Sequence, residues 1–205
     1  LLGKTRSKLE VCFDWITTHT STKPTIIPSD LEVLDNQMVS NLANLITENY
    51  GSLDVLINNA SMLGPRVPIA HYPEIEWAKV FQINVIAPFV LTKGLFSLLD
   101  AGDGSCIINI SSSVGRKGRA YWGAYSASKF AIEGFTQTLA DETVNPGATR
   151  TKMRKEAYPL EDPEKLKIPE NFLDLFIALI EGDKAQISLP SSGASINVEE
   201  WVNQN

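Results

Sequence analysis

The sequence predicts an α/β fold, a single domain on a doubly wound parallel sheet. Three observations carry this. Strand-like and helix-like segments alternate along most of the chain, the pattern that builds a parallel sheet with crossover helices. Two of the strand-like runs, residues 53–58 and 106–110, are apolar almost throughout, as strands covered on both faces are. The length of 205 residues with 43% hydrophobic content suffices for one domain with a substantial core.

Taken in order, Leu1-Leu2 before Gly3 reads as the end of a strand, and residues 5–20 as a helix. Residues 25–29 form a short strand, whose Pro28 suits a sheet edge because proline has no N–H for the ladder. Asp35 can cap a helix over 36–50, with Leu42, Leu45 and Ile46 as its apolar stripe. After the strand at 53–58, a long helical stretch over 74–99 is interrupted by Pro88. The strand at 106–110 precedes a helix over 122–141 that carries Ala127, Ala131 and Ala140. Residues 152–168 are charged and proline-containing, and read as a mobile excursion over the substrate cleft. A helix over 170–181, apolar nearly all round, is expected to be buried, and 185–189 to form a last strand.

A formal charge of −6 argues against a general nucleic-acid binder. No apolar run approaches the length of a membrane span, and Leu1-Leu2-Gly3-Lys4 lacks the apolar core of a signal peptide. Cys12 and Cys106 stand apart, which fits a reducing, cytoplasmic setting, and His19 and His71 are too isolated to suggest a metal site.

The chemistry concentrates in residues 111–129, which place Ser112, Tyr125 and Lys129 in one run. Tyr125 and Lys129 are four apart on a predicted helix and share a face. An ammonium beside a phenol is expected to lower its pKa and suit it to general acid/base work. Ser112 follows a buried strand, at the end where α/β sheets bind ligands, and its hydroxyl can hold a carbonyl oxygen. With Asn58-Asn59-Ala60 upstream and Asn145-Pro146-Gly147 downstream, order and spacing resemble the short-chain dehydrogenase/reductase family. The text around Ser112 and Tyr125 is most similar to a bacterial subgroup of uncharacterised oxidoreductases.

The resemblance implies a Rossmann-like fold, a homodimer or homotetramer paired through the helices at 74–99 and 122–141, and a small carbonyl or alcohol as substrate. It implies a catalytic set of Asn84, Ser112, Tyr125 and Lys129. In that set Asn84 supports a water-linked proton path, Ser112 orients the carbonyl, Tyr125 transfers the proton, and Lys129 also holds the nicotinamide ribose. On its own, Asn84 reads equally as a helix-kink residue. Asp30 and Leu31 match the adenine contacts, although Asp30 alone reads equally as a turn or helix-entry residue. Asn59 and Ala60 match the segment lining the cofactor's adenine side, with Ser61 where the family has glycine. Pro146, Gly147, Thr149 and Thr151 match the loop at the nicotinamide carboxamide, and otherwise read as an ordinary Pro-Gly turn. Lys4, with Arg6 nearby, favours NADP over NAD by facing the 2′-phosphate; by itself it is also a plain solvated lysine.

Two family units are expected to be absent. The first strand with its Gly-rich turn would precede Leu1, and Gly102-Asp103-Gly104 cannot replace it because it precedes a strand. Residues 141–146 pass from helix to Pro-Gly loop with no room for the family's central strand. Either the sequence joins ordered segments of a longer chain or the chain is truncated, and an intact mass near 22.5 kDa would exclude the first.

Two function classes therefore stand: an NADP(H)-dependent oxidoreductase, and a non-catalytic nucleotide-binding or interaction protein on the same fold. Arg116, Lys117, Arg119, Arg150, Lys152, Arg154 and Lys155 flank the expected cleft. They form either an anion-attracting rim or ordinary solvated loops.

Overall fold

The computed structural model describes residues 1–100, 105–139, 142–145, 173, 175–177 and 195–197. Strand β1 (Leu2–Gly3) leads into helix α1 (Arg6–His19), then β2 (Ile27–Pro28), α2 (Asn36–Tyr50) and β3 (Val55–Asn58). Helix α3 (Glu74–Phe81) passes through a π-helical turn (Gln82–Ile86) into α4 (Ala87–Asp100). Strand β4 (Cys106–Ile110), a short 3-10 turn (Ser113–Gly115), α5 (Gly123–Leu139), β5 (Glu142–Asn145) and β6 (Ser195–Asn197) follow.

All strand pairs are parallel. Strands β3-β4-β5-β6 form one sheet in that order, and β1-β2 a separate pair. Pro28 sits where its missing N–H costs nothing, since Ile27 and Ser29 donate to Leu1 and Gly3 on either side of it. Asp35 caps α2 as expected, its Oδ1 accepting from Met38 N–H at 2.8 Å. The core between α2 and α4 is built by Leu31, Leu34, Val39, Leu91, Leu95 and Leu98. Leu91, Leu95 and Leu98 repeat at one helical face, and each fully buried leucine contributes about 2 kcal/mol.

Several expectations change. The central strand is present: Glu142–Asn145 pairs with β4 on one side and β6 on the other. Four residues shortly after α5 suffice for it, because neighbouring strands pair with them on both sides. The outer strand is Ser195–Asn197, while the expected strand at 185–189 lies outside the described residues. Strand β3 is not covered all round; Ile57 is 43% exposed. It borders a groove of about 830 Å³ between β1 and β3, lined by Leu2, Ile27, Leu31, Leu56, Asn59 and Leu91 among others. Of the apolar stretch after residue 170, Leu175 is buried but Leu173 is 55% exposed, so that face is not fully covered.

The long helix breaks at Gln82–Ile86, just before Pro88. Proline cannot donate to the carbonyl four residues back, that of Asn84, and its ring crowds that position. Widening to a π turn, with Ala87 N–H bonded to Gln82 C=O, relieves both problems. By length and composition, Glu74–Leu99 is also a candidate membrane span, which the sequence reading did not anticipate. Val80, Ala87, Leu91 and Leu95 are buried inside the domain, as in a core helix.

Candidate active site

The site forms where β3 and β4 end, as expected for an open parallel sheet. Beyond Ile110 the chain turns through Ser111 and Ser112 into the 3-10 turn, which docks on α5. Ser126 Oγ donates to Val114 C=O at 2.7 Å. Gly115 permits this approach, since a Cβ there would lie 2.9 Å from the Lys129 carbonyl oxygen. The docking turns Tyr125 and Lys129 inward; they are 6% and 3% exposed.

Lys129 Nζ donates to the Ile110 carbonyl at 2.7 Å and lies 5.6 Å from the Tyr125 ring centroid. Burial lowers the Lys129 pKa to about 8, against an opposing pull from Glu133. Burial raises the Tyr125 phenol above its ordinary value, and the Ser112 and Ser61 hydroxyls beside it only partly offset this. The expectation that a neighbouring ammonium brings the phenol down is therefore corrected: loss of water outweighs the nearby groups.

Asn84, in the π turn, is buried. Its Oδ1 accepts from Met62 N–H at 2.7 Å, and its Nδ2 donates to Met62 C=O and to Ser128 Oγ, both at 2.9 Å. Ser128 Oγ donates in turn to Tyr125 C=O at 2.8 Å. Asn84 thus clamps the segment after Ala60 to the first turns of α5. Both of its side-chain N–H donors are committed and Oδ1 already accepts from Met62, so the side chain serves as a clamp.

A polar spine supports the same corner. Asn58 Nδ2 donates to Asn109 Oδ1, and Asn109 Nδ2 to Thr136 Oγ1, both at 2.9 Å.

The residues matched to the cofactor divide into three groups. Leu31, Asn59 and Ala60 line the groove between β1 and β3. Lys4 and Asp30 meet in an ion pair at 2.7 Å, with Glu32 3.9 Å from the same ammonium. This pairing raises the Lys4 pKa and lowers that of Asp30. Arg6 is turned to Glu10 at 2.9 Å. Pro146, Gly147, Thr149 and Thr151 lie outside the described residues, as do Gly102-Asp103-Gly104, the basic residues at 150–155 and the excursion at 152–168.

Arg116 departs from the rim reading. Its Nε faces Glu133 Oε1 at 3.4 Å. Glu133 also accepts from Ser111 Oγ at 2.6 Å and is 7% exposed. Sequence reasoning missed Ser111, Ser128 and Glu133. A signal existed for two of them: Ser128 and Glu133 follow Tyr125 by three and eight residues, spacings that keep them on its side of the helix. Ser61, noted only as a departure from glycine, brings its buried hydroxyl beside the Tyr125 phenol.

The family model for short chain dehydrogenases matches residues 1–162. The chain belongs to this family. The chain is 42% identical over 191 residues to an oxidoreductase of Escherichia coli K12, YciK, whose own function is uncharacterised. The match covers 89% of this chain and 76% of that protein. It is 33% identical over 128 residues to a 3alpha-hydroxysteroid dehydrogenase of Mediterraneibacter gnavus, covering 58% of this chain and 51% of the relative. A solved structure from Shigella flexneri 2a, complexed with NADP, superposes with a TM-score of 0.91 at 39% identity, covering 97% of this chain and 85% of that one. The fold is thus the Rossmann-like one of the short-chain dehydrogenases, and the chain is an oxidoreductase by family.

Proposed function

We propose that this short-chain dehydrogenase interconverts a carbonyl and an alcohol with NADP(H), using Tyr125 as general acid/base. The observation that carries the reading is the convergence of Tyr125 and Lys129 on one buried face of α5, with the Ser112 hydroxyl beside the phenol. Asp30, Leu31, Asn59 and Ala60 would line the adenine side of the dinucleotide, with Lys4 paired to Asp30 beside them. Lys129 would hold the ribose at the other end, and Pro146, Gly147, Thr149 and Thr151 the carboxamide. Bound NADP(H) supplies the hydride.

In reduction, the Ser112 hydroxyl orients the carbonyl oxygen and the Tyr125 phenol gives that oxygen its proton. The Lys129 ammonium stabilises the phenolate left behind, which answers the burial that otherwise disfavours it. Asn84 keeps Tyr125 in register through Ser128. Burial of the phenol and ammonium keeps water from competing for the proton.

Turnover of a carbonyl and alcohol panel with NADP(H) tests the reading. Tyr125→Phe is expected to lose on the order of 10²-fold or more in rate and to keep cofactor affinity. A Tyr125→Phe protein with most of its activity removes the assignment, and cofactor binding without turnover in the unmodified protein favours the non-catalytic alternative. NADP(H) is expected to be preferred over NAD(H), and Lys4→Asp to erase the preference by repelling the 2′-phosphate. The single domain, the free thiols of Cys12 and Cys106 and a cytoplasmic setting belong to the same reading, as does pairing of subunits through α4 and α5.

A further inference from the structure

Among the described residues, Glu133 is the only carboxylate classed as buried. It lies one helical turn beyond Lys129, on the same face of α5. Its Oε1 is held by Ser111 Oγ at 2.6 Å and faced by Arg116 Nε at 3.4 Å. Ser111 precedes Ser112, so this hydrogen bond ties the end of β4 to the helix that carries Tyr125 and Lys129. Lys129 makes the parallel connection itself, from Nζ to the Ile110 carbonyl. Two adjacent residues of the strand end, Ile110 and Ser111, are thus fastened to two successive turns of α5.

The charge of Glu133 matters as much as its hydrogen bonds. A neutral oxygen could also accept from Ser111, although the 2.6 Å bond to a carboxylate is the stronger, charge-assisted kind. A carboxylate has to be taken out of water, which is costly unless something gains from the charge. The charge is shared between Arg116, whose Nε lies 3.4 Å away, and Lys129, an ammonium that burial pushes toward its neutral form.

We propose that Glu133 is a positioning residue of this site: it locks the Ser112 strand end against α5 and sets its carboxylate one turn from the buried Lys129 ammonium. The catalytic use of Lys129 rests on the function proposed above, while the effect of Glu133 on Lys129 does not. The groups facing Lys129 are Tyr125 and Glu133 on its own helix, the Ile110 carbonyl from β4, and Arg116 behind Glu133.

The test follows Lys129 directly, by NMR titration of lysine-labelled protein with the resonance assigned through Lys129→Met. Glu133→Gln retains an acceptor for Ser111 and removes the charge. Its Lys129 midpoint is expected to fall by about one unit, with roughly fivefold less ammonium at pH 8. Ser111→Ala, which removes the hydrogen bond and keeps the charge, is expected to lower Tm and leave the midpoint in place. Arg116→Gln removes a competing cation at a partly exposed position, where folding is safe, and is expected to raise the midpoint. An unmoved midpoint in Glu133→Gln, or in Arg116→Gln should the first not fold, overturns the proposal and leaves Glu133 a structural anchor. In an active enzyme, the alkaline loss of kcat/KM moves to lower pH with Glu133→Gln. If the unmodified protein turns over no substrate, the oxidoreductase reading fails and the titration still decides the role of Glu133.

Discussion

At the scale of single residues, Lys129 shows what the site costs. Its folded pKa of about 8 lies below the ordinary 10.5 of lysine, because its ammonium is cut off from water. Below pH 8 both folded and unfolded chains hold the proton, and the folded state bears the desolvation. That difference corresponds to about 3 kcal/mol. Between pH 8 and 10.5 only the unfolded chain is protonated, so stability rises with pH across this window. Lys129→Met is therefore expected to raise Tm by several degrees at pH 7 and to flatten the rise between pH 8 and 10.5, while cofactor affinity and turnover both fall. Thermal melts across pH check the first part. A fall in Tm would mean that the bond to the Ile110 carbonyl outweighs the burial of the charge.

At the scale of elements, the π turn and its neighbours set the register of the site. Pro88 was readable as an interruption, but not its consequence. The break falls upstream and turns Asn84 toward both Met62 and Ser128. Asn84→Ala leaves the Met62 N–H and C=O and the Ser128 hydroxyl without this partner. It is expected to cost about 2 kcal/mol and to slow turnover by loosening Tyr125, as denaturant melts and steady-state rates would show. Gly64 is a second fixed point. Its φ of +69° lies in the left-handed region, and a Cβ there would come 2.5 Å from Tyr72 Oη and 2.7 Å from Val80 Cγ2. Gly64→Ala is expected to destabilise more than the about 1 kcal/mol of an unstrained substitution, while a neutral melt would show that the loop relocates freely.

At the scale of the whole molecule, the outer face of α4 and α5 is unusually aromatic. Phe89, Phe96 and Phe130 are 46%, 54% and 47% exposed, and Phe89 meets Phe135 edge to face at 6.2 Å. Thr92 on the same face has a buried hydroxyl with no partner. A second copy of the chain, packed helix to helix about a two-fold axis, would cover this surface. Phe96→Glu is expected to shift the protein toward monomer in sedimentation at micromolar concentration, with its melting temperature kept. A monomeric unmodified protein would remove the pairing.

The sequence by itself determined the alternation of strands and helices, the cap at Asp35, the edge role of Pro28, and the line of Ser112, Tyr125 and Lys129. Each is set by neighbours within a few residues, through backbone preferences and the 3.6-residue turn. The tertiary structure decided what depends on residues far apart. Burial raises the Tyr125 phenol instead of Lys129 lowering it, because the water removed belongs to the assembled corner and not to one helix. Lys4 meets Asp30 across twenty-six positions of chain, and the partly exposed Arg116 meets the buried Glu133 across seventeen. Strand β5 exists because β4 and β6 lie on either side of it; four residues define no strand until the ladder pairs them.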